Sequence, residues 1–297
     1  MDTPAPDKKP LAAALAAFGT WGLMPFLFQA VGRAGASPWE TLCWRTIVSV
    51  PCAAALVLAT RQGGALAGLA ARPRQVGLLV LSASLISINW AVYILAVESH
   101  HTLAASLGYY INPLFNMAVA AVAFRERVGR PGQIAIALAV AGVALQAAAV
   151  GGVPWEALTL AASFGGYSIV RKVAAVEAQT GFLVECLVLG VVAGAYLIWL
   201  FTTGAAVFGS NPEVSLLLIL TGPATAVPLV CFAYAARRMS LTAISFIQFM
   251  TPTMLFAIGA MQGEPLSALR LISFAFIWAG VAVFAWGMAR RSHAGLA

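Results

Sequence analysis

Charge is scarce in this 297-residue sequence: 9% of positions are Asp, Glu, Lys or Arg, against 61% hydrophobic. A soluble domain carries about 25% charged residues, so the composition excludes a soluble fold. It also leaves no polar stretch long enough for a soluble module. Lysine occurs only at Lys8, Lys9 and Lys172, none of them in a glycine-rich phosphate loop, so the chain is not expected to be its own ATPase. The histidines, His100, His101 and His293, fall at span ends or in the tail, and no H-E-x-x-H occurs. Without an acid, base and nucleophile set, no enzyme activity, metal or cofactor is expected. Cys43, Cys52, Cys186 and Cys231 lie inside apolar runs with no C-x-x-C spacing and read as small packing residues.

What is present is apolar runs. Windows of about 20 apolar residues, enough to cross a hydrocarbon core of roughly 30 Å as helix, recur along the whole length. They predict ten spans, near 11–32, 38–60, 75–97, 102–123, 131–150, 154–171, 180–202, 214–236, 240–261 and 267–289. The expected fold is an all-α integral membrane protein, in contact with the lipid bilayer throughout.

The net charge of +7 could signal an acidic partner, but its distribution assigns it elsewhere. If the spans alternate, Lys8, Lys9, Arg61, Arg72, Arg74, Arg125, Arg127, Arg130, Arg171, Lys172, Arg237, Arg238, Arg290 and Arg291 share one side, with Arg33 and Arg270 on the other. The excess of basic residues on cytoplasmic loops then places both termini in the cytoplasm, and no nucleic-acid partner is expected. Lys8 and Lys9 before "LAAALAAF" also match the start of a signal peptide. Removing that segment would leave nine spans and break the duplication described next, so it is read as the first span.

"TLAASLGYYINPLF" (102–115) aligns with "SLTAISFIQFMTPTM" (240–254), so that Ser106 meets Ser245 and Pro113 meets Pro252. "AGVA" at 141–144 returns at 279–282, and "FGTWG" at 18–22 is echoed by "FGGYS" at 164–168. The chain therefore divides into a tail (1–10), two five-span repeats (11–150 and 151–289) and a second tail (290–297). Five is odd, so the second repeat enters from the opposite face. In inverted-repeat transporters, substrate sites lie near the midplane between the halves.

Pro113 and Pro252 are predicted helix kinks, each freeing the carbonyl four residues earlier, that of Tyr109 or of Gln248. A bare carbonyl in lipid costs several kcal/mol, so both kinks should face protein or a cavity. Around them cluster Tyr109, Tyr110, Asn112 and Asn116 of the fourth span, Gln248, Thr251 and Thr253 of the ninth, and "SINWAVY" (Ser87 to Tyr93) of the third. Trp21, Ser163, Tyr167 and Tyr234 fall at similar depths. The expected substrate contacts are Trp21, Asn89, Trp90, Tyr93, Tyr109, Asn112, Tyr167 and Gln248, an aromatic lining suited to a small, partly apolar solute. Trp155 and Trp286 fit interfacial belts; Gly19, Gly22, Gly142 and Gly280 fit close helix packing.

Arg45 and Glu185 are the two charges well inside spans, each a functional hypothesis by default. Arg45 lies about seven residues from one face and Glu185 about five from the other, so at 1.5 Å per residue their depths differ by roughly 12 Å. A direct pair is not expected. Glu185 is expected to meet Arg171 or Lys172, with proton coupling as its functional alternative. Arg45 is expected to snorkel outward to Glu40 or Glu98, or to act as a gating or steering charge.

The segments "ALAAFGTWGLMPFLFQ", "AVESHHTLAASLGYYINPLFN", "VRKVAAVEAQTGFLVE" and "FAFIWAGVAVF" resemble the RarD branch of the EamA family, in the drug/metabolite transporter superfamily, over about residues 11–289. Arg45, Pro113 and Pro252 match the family pattern. The resemblance implies a ten-helix carrier of the bacterial inner membrane with cytoplasmic termini and a central cavity, exporting amino acids, drugs or other metabolites. The reading is thus a secondary transporter of a small-molecule substrate, monomer or weak homodimer, working by alternating access. Its rivals are proton-coupled drug or cation efflux and a channel or receptor.

Overall fold

Proline and glycine mark where the helices begin and end. The computed structural model describes residues 9–69, 71–123, 129–236, 238–239 and 247–294. Among them are eleven helices: α1 (Lys9–Arg33), α2 (Pro38–Ala59), α3 (Gly63–Leu69), α4 (Pro73–Glu98), α5 (Thr102–Ala123), α6 (Arg130–Val150), α7 (Trp155–Ala174), α8 (Ala178–Thr203), α9 (Pro212–Ala236), α10 (Met250–Met261) and α11 (Ala268–Ala294). Proline stands in the first turn of α2, α4 and α6, where its missing N–H would have had no helical partner. Ser37 caps α2 by accepting from the Glu40 amide. Gly151 and Gly204 close α6 and α8 with φ of +70°, a conformation open to glycine at no steric cost.

Seven of these helices are long and apolar enough to cross a membrane: α1, α2, α4, α6, α8, α9 and α11. Nine of the ten predicted spans coincide with α1, α2, α4 to α9 and α11. The ninth span differs. Only α10 is a named helix there, preceded by helical residues 247–248 and a turn at Phe249, and the predicted start at 240–246 lies outside the described residues. Helix α3 was not expected; seven residues long, it sits in what the sequence reads as a loop.

Side-chain ties fix how the helices point. At one face, Gln29 near the end of α1 donates to the Val97 carbonyl at the end of α4 (3.3 Å). Glu264, just past α10, accepts from the Thr102 and Leu103 amides that open α5 (2.5 and 2.9 Å). Glu40 at the start of α2 accepts from Val207 and Phe208, just before α9. At the opposite face, Gln62 beyond α2 bonds Gln179 and Thr180 at the start of α8 (3.0 and 2.8 Å), and Gln75 at the start of α4 reaches the Ala174 carbonyl at the end of α7 (3.2 Å). The faces are separated by the 26 residues of α4, about 39 Å of helix.

Among the described residues, the most extensive packings are α6 on α11, α1 on α9, α4 on α7, α2 on α8, α5 on α7, α2 on α9, α5 on α10, α1 on α10 and α4 on α8. Exchanging α1 with α7, α2 with α8, α4 with α9, α5 with α10 and α6 with α11 turns this set into itself. Each helix also points opposite to its exchange partner. Outward faces are apolar: Val191, Val192 and Ile198 of α8 are largely exposed, as a helix apolar all round is when lipid is its solvent.

Candidate functional site

The polar centre is built on α4, the most buried of the membrane-length helices. Asn89 is 1% exposed. Its Nδ2 donates to the Leu160 carbonyl and the Ser163 hydroxyl of α7, both at 3.1 Å, and its Oδ1 accepts from the Tyr109 hydroxyl of α5 at 3.2 Å. One amide thus ties three helices where water cannot. Tyr93, one turn along α4, meets Tyr109 edge to face at 5.7 Å between ring centres. Tyr109 meets Phe164 at 6.3 Å, and Phe164 meets Tyr167 at 5.9 Å.

The aromatic line ends on a charge. The Tyr167 hydroxyl lies 3.4 Å from Glu185 Oε2, and Ser82 Oγ donates to Oε1 at 2.6 Å. Arg171 Nη1 stands 3.5 Å from the same carboxylate, whose side chain is 2% exposed. The Arg171 guanidinium also reaches the Glu177 and Ala178 carbonyls, fastening the end of α7 to the start of α8. The expected meeting of Glu185 with Arg171 is what the structure holds.

Arg45 does not snorkel. It is 5% exposed, and its Nε donates to Thr225 Oγ1 of α9 at 2.9 Å. Its guanidinium lies 4.1 Å from the Trp90 ring centre and 5.4 Å from that of Phe28. Neither expected partner is in contact: Glu40 is engaged with the Val207 and Phe208 amides, and Glu98 lines a separate cavity. Burying an ion costs several kcal/mol even after relaxation, and cation–π contact returns about 2 kcal/mol when desolvated. Arg45 Nη1 and the Tyr93 hydroxyl are both buried with no hydrogen-bond partner.

The other predicted contacts scatter. Trp21 is half-buried and packs on Phe18 and Phe232 at 5.5 and 6.1 Å, beside the cluster that holds Phe28, Tyr93 and Leu160. Asn112 is buried with an unpartnered Oδ1. Tyr110 turns the other way, bonding Thr253 at 2.6 Å and packing on Phe249 and Trp278. Tyr234 is displaced from the centre and lies under the Arg238 guanidinium at 4.0 Å, near the end of α9. Gln248 is half-buried and is not among the partners of Asn89. Helix α5 runs through Pro113 unbroken, and Pro252 falls in the first turn of α10, where its carbonyl accepts from Ser106 at 2.8 Å. Four further prolines lie inside helices, Pro25, Pro51, Pro223 and Pro228, so an internal proline is not peculiar to the repeat-matched pair. Asn116 lies where side chains are outside the described residues.

Several polar residues were not anticipated. Gln29 and Gln262 form a reciprocal amide pair at 2.9 and 2.7 Å. Beside it, a cavity of about 230 Å³ is lined by Gln29, Gly32, Arg33, Glu98 and His100. Thr225 and Ser82 carry no sign in the sequence, because hydroxyls in apolar helices usually bond their own backbone, as these two also do at Thr221 and Leu79.

The model of the EamA-like transporter family matches residues 8–147. An Escherichia coli (strain K12) protein named RarD is 41% identical over 273 residues, 91% of this chain and 92% of its own. This chain belongs to the RarD branch of the EamA-like transporter family. A Vibrio cholerae protein described as an uncharacterized transporter is 36% identical over 289 residues, covering 97% of this chain and 95% of its own. One solved crystal structure superposes with a TM-score of 0.57 over 95% of this chain and 98% of that one, at 18% identity; that likeness concerns the fold. The EamA-like protein described here is therefore a membrane transporter, and its polar centre lies among the helices that pack around α4.

Proposed function

We propose that this EamA-like protein is a secondary carrier that exports amino acids, aromatic or otherwise partly apolar, or similar small metabolites, by alternating access. The observation that carries the reading is the aromatic line from Tyr93 through Tyr109 and Phe164 to Tyr167, with the buried Asn89 bonded to Tyr109. It offers aromatic walls and a few amide and hydroxyl handles, the lining of a small-solute site. Support for alternating access comes from the helix packings that survive exchange of the two halves, together with the opposed directions of the exchanged helices. Two such repeats of inverted topology, 11–150 and 151–289, can trade conformations to open one face or the other. In this reading the protein sits in the bacterial inner membrane with both termini in the cytoplasm, the side that bears Arg61, Arg72, Arg171 and Lys172.

The test is a proteoliposome screen with each of the twenty amino acids competing for uptake of labelled ones. Accelerated exchange and saturable competition by a subset are expected. Competition by none of the twenty would end the amino-acid reading, and uptake at ion-channel rates without counterflow would end the carrier reading.

A further inference from the structure

We propose that Arg45, with the Tyr93 hydroxyl, receives an anionic group of the transported solute, a carboxylate in the first instance. The inference rests on the carrier reading above and names the chemistry that its site recognises.

A guanidinium presents five N–H donors in one plane, and buried charges in proteins are paired. Arg45 is buried to 5% exposure, yet its only hydrogen bond among the described residues is the one to Thr225. The buried acids stand elsewhere: Glu185 with Arg171, Ser82 and Tyr167, Glu40 with the Val207 and Phe208 amides, Glu264 with the Thr102 and Leu103 amides, and the half-buried Glu98 in the cavity lined by Gln29 and His100, with one oxygen unpartnered. Neither ion pair found among the described residues includes Arg45.

Trp90 and Phe28 stand close to the guanidinium, but an aromatic face supplies no acceptor for in-plane N–H groups. Nη1 is left without one. The Phe28 ring, 5.4 Å from Arg45, is itself 5.8 Å from the Tyr93 ring, whose buried hydroxyl is also unpartnered, as is that of Ser49 one turn along α2. A cation with a free N–H and a phenol with a free O–H, walled by Trp90, Phe28 and Tyr93, lack one thing: a small anion with an apolar body. Lysine would present a point charge, whereas the planar fork of arginine matches a carboxylate. An inorganic anion would satisfy the same donors but would make no use of the aromatic walls.

The test uses the full-length protein in detergent and follows thermal unfolding with sodium phenylacetate, 2-phenylethanol or sodium chloride at matched ionic strength. Phenylacetate is expected to raise the wild-type midpoint by at least about 2 °C, and phenylethanol and chloride are not. Arg45→Gln should abolish that protection. Arg45→Lys and Tyr93→Phe, which keep the charge or the ring, should need about tenfold more phenylacetate. Protection of Arg45→Gln equal to wild type, equal protection by chloride, or no protection of wild type would each overturn the assignment. Should Arg45→Gln not fold, an unchanged phenylacetate dependence in both Arg45→Lys and Tyr93→Phe overturns it.

Liposome exchange separates this from the parent reading. If no amino acid exchanges while Arg45-dependent protection is seen, the amino-acid reading falls and the anion site stands. If an amino acid exchanges and its amide competes equally well, the carrier stands and the anion site falls.

Discussion

Replacing Asn89 by alanine removes three interhelical hydrogen bonds at once. Within a membrane each such bond is worth about 0.6 kcal/mol on average, and up to about 1.7, so their sum is about 2 kcal/mol. What remains unpaired is unequal. Ser163 keeps its 2.6 Å bond to the Thr159 carbonyl, and the Leu160 carbonyl still faces its own helix ladder. Only the Tyr109 hydroxyl loses its one hydrogen-bond partner among the described residues. Tyr109→Phe removes that one bond and leaves nothing stranded except an Asn89 oxygen, so it should cost about 0.6 kcal/mol. Reversible unfolding in mixed micelles, with denaturing detergent as the variable, measures both. If the Tyr109 hydroxyl also touches solute, Tyr109→Phe should lower exchange more than tenfold while barely moving stability. A cost for Asn89→Ala below that for Tyr109→Phe would refute the network as the tie between α4, α5 and α7.

Three further outcomes follow from the same geometry. A Cβ at Gly108 would meet the Ala157 carbonyl and Leu160 Cβ at 2.8 Å, whereas one at Gly77 meets nothing within 4 Å; Gly108→Ala should destabilise by about 1–3 kcal/mol and Gly77→Ala not at all, read by the same unfolding assay. Glu185→Gln should leave amino-acid exchange largely intact, whereas proton-driven efflux would be abolished, which a pH-gradient uptake assay distinguishes. Cysteines placed at positions 29 and 262 and bridged by a short bismethanethiosulfonate should stop exchange until a reductant is added; exchange that continues after bridging would show that this end need not part.

The bounds of nine of the ten spans are readable from hydropathy to within about five residues. The fourth span was expected at 102–123, and α5 is Thr102–Ala123. Close packing at small residues was readable too: a Cβ on Gly22 would meet Met254 Sδ at 2.6 Å, one on Gly142 would meet Ile277 at 2.7 Å, and one on Gly280 the Ala135 carbonyl at 3.1 Å. Gly19 is looser, with Met250 at 3.5 Å. What hydropathy cannot give is rotation about the helix axis. In a helix that is apolar on all sides no stripe marks the inside, so the sequence groups Tyr109 with Tyr110 although they face different clusters, and depth alone groups Tyr234 with the centre. The outward reach expected of Arg45 fails for a related reason. A long basic side chain near a helix end ordinarily snorkels, and only the neighbouring Thr225, Trp90 and Phe28, far away in sequence, hold it in.

Each face carries one tie of distinct chemistry. At one, Gln29 and Gln262 form a pair of neutral amides, beside the Glu264 carboxylate that holds the Thr102 and Leu103 amides. The other is held by Arg171 against Glu185, with the guanidinium filling the space that a side chain on Gly181 would need. Breaking the Gln29–Gln262 pair strands only dipoles, whereas parting Arg171 from Glu185 strands two full charges in a greasy surround. Of these two ties, the one between Arg171 and Glu185 is therefore the costlier to part.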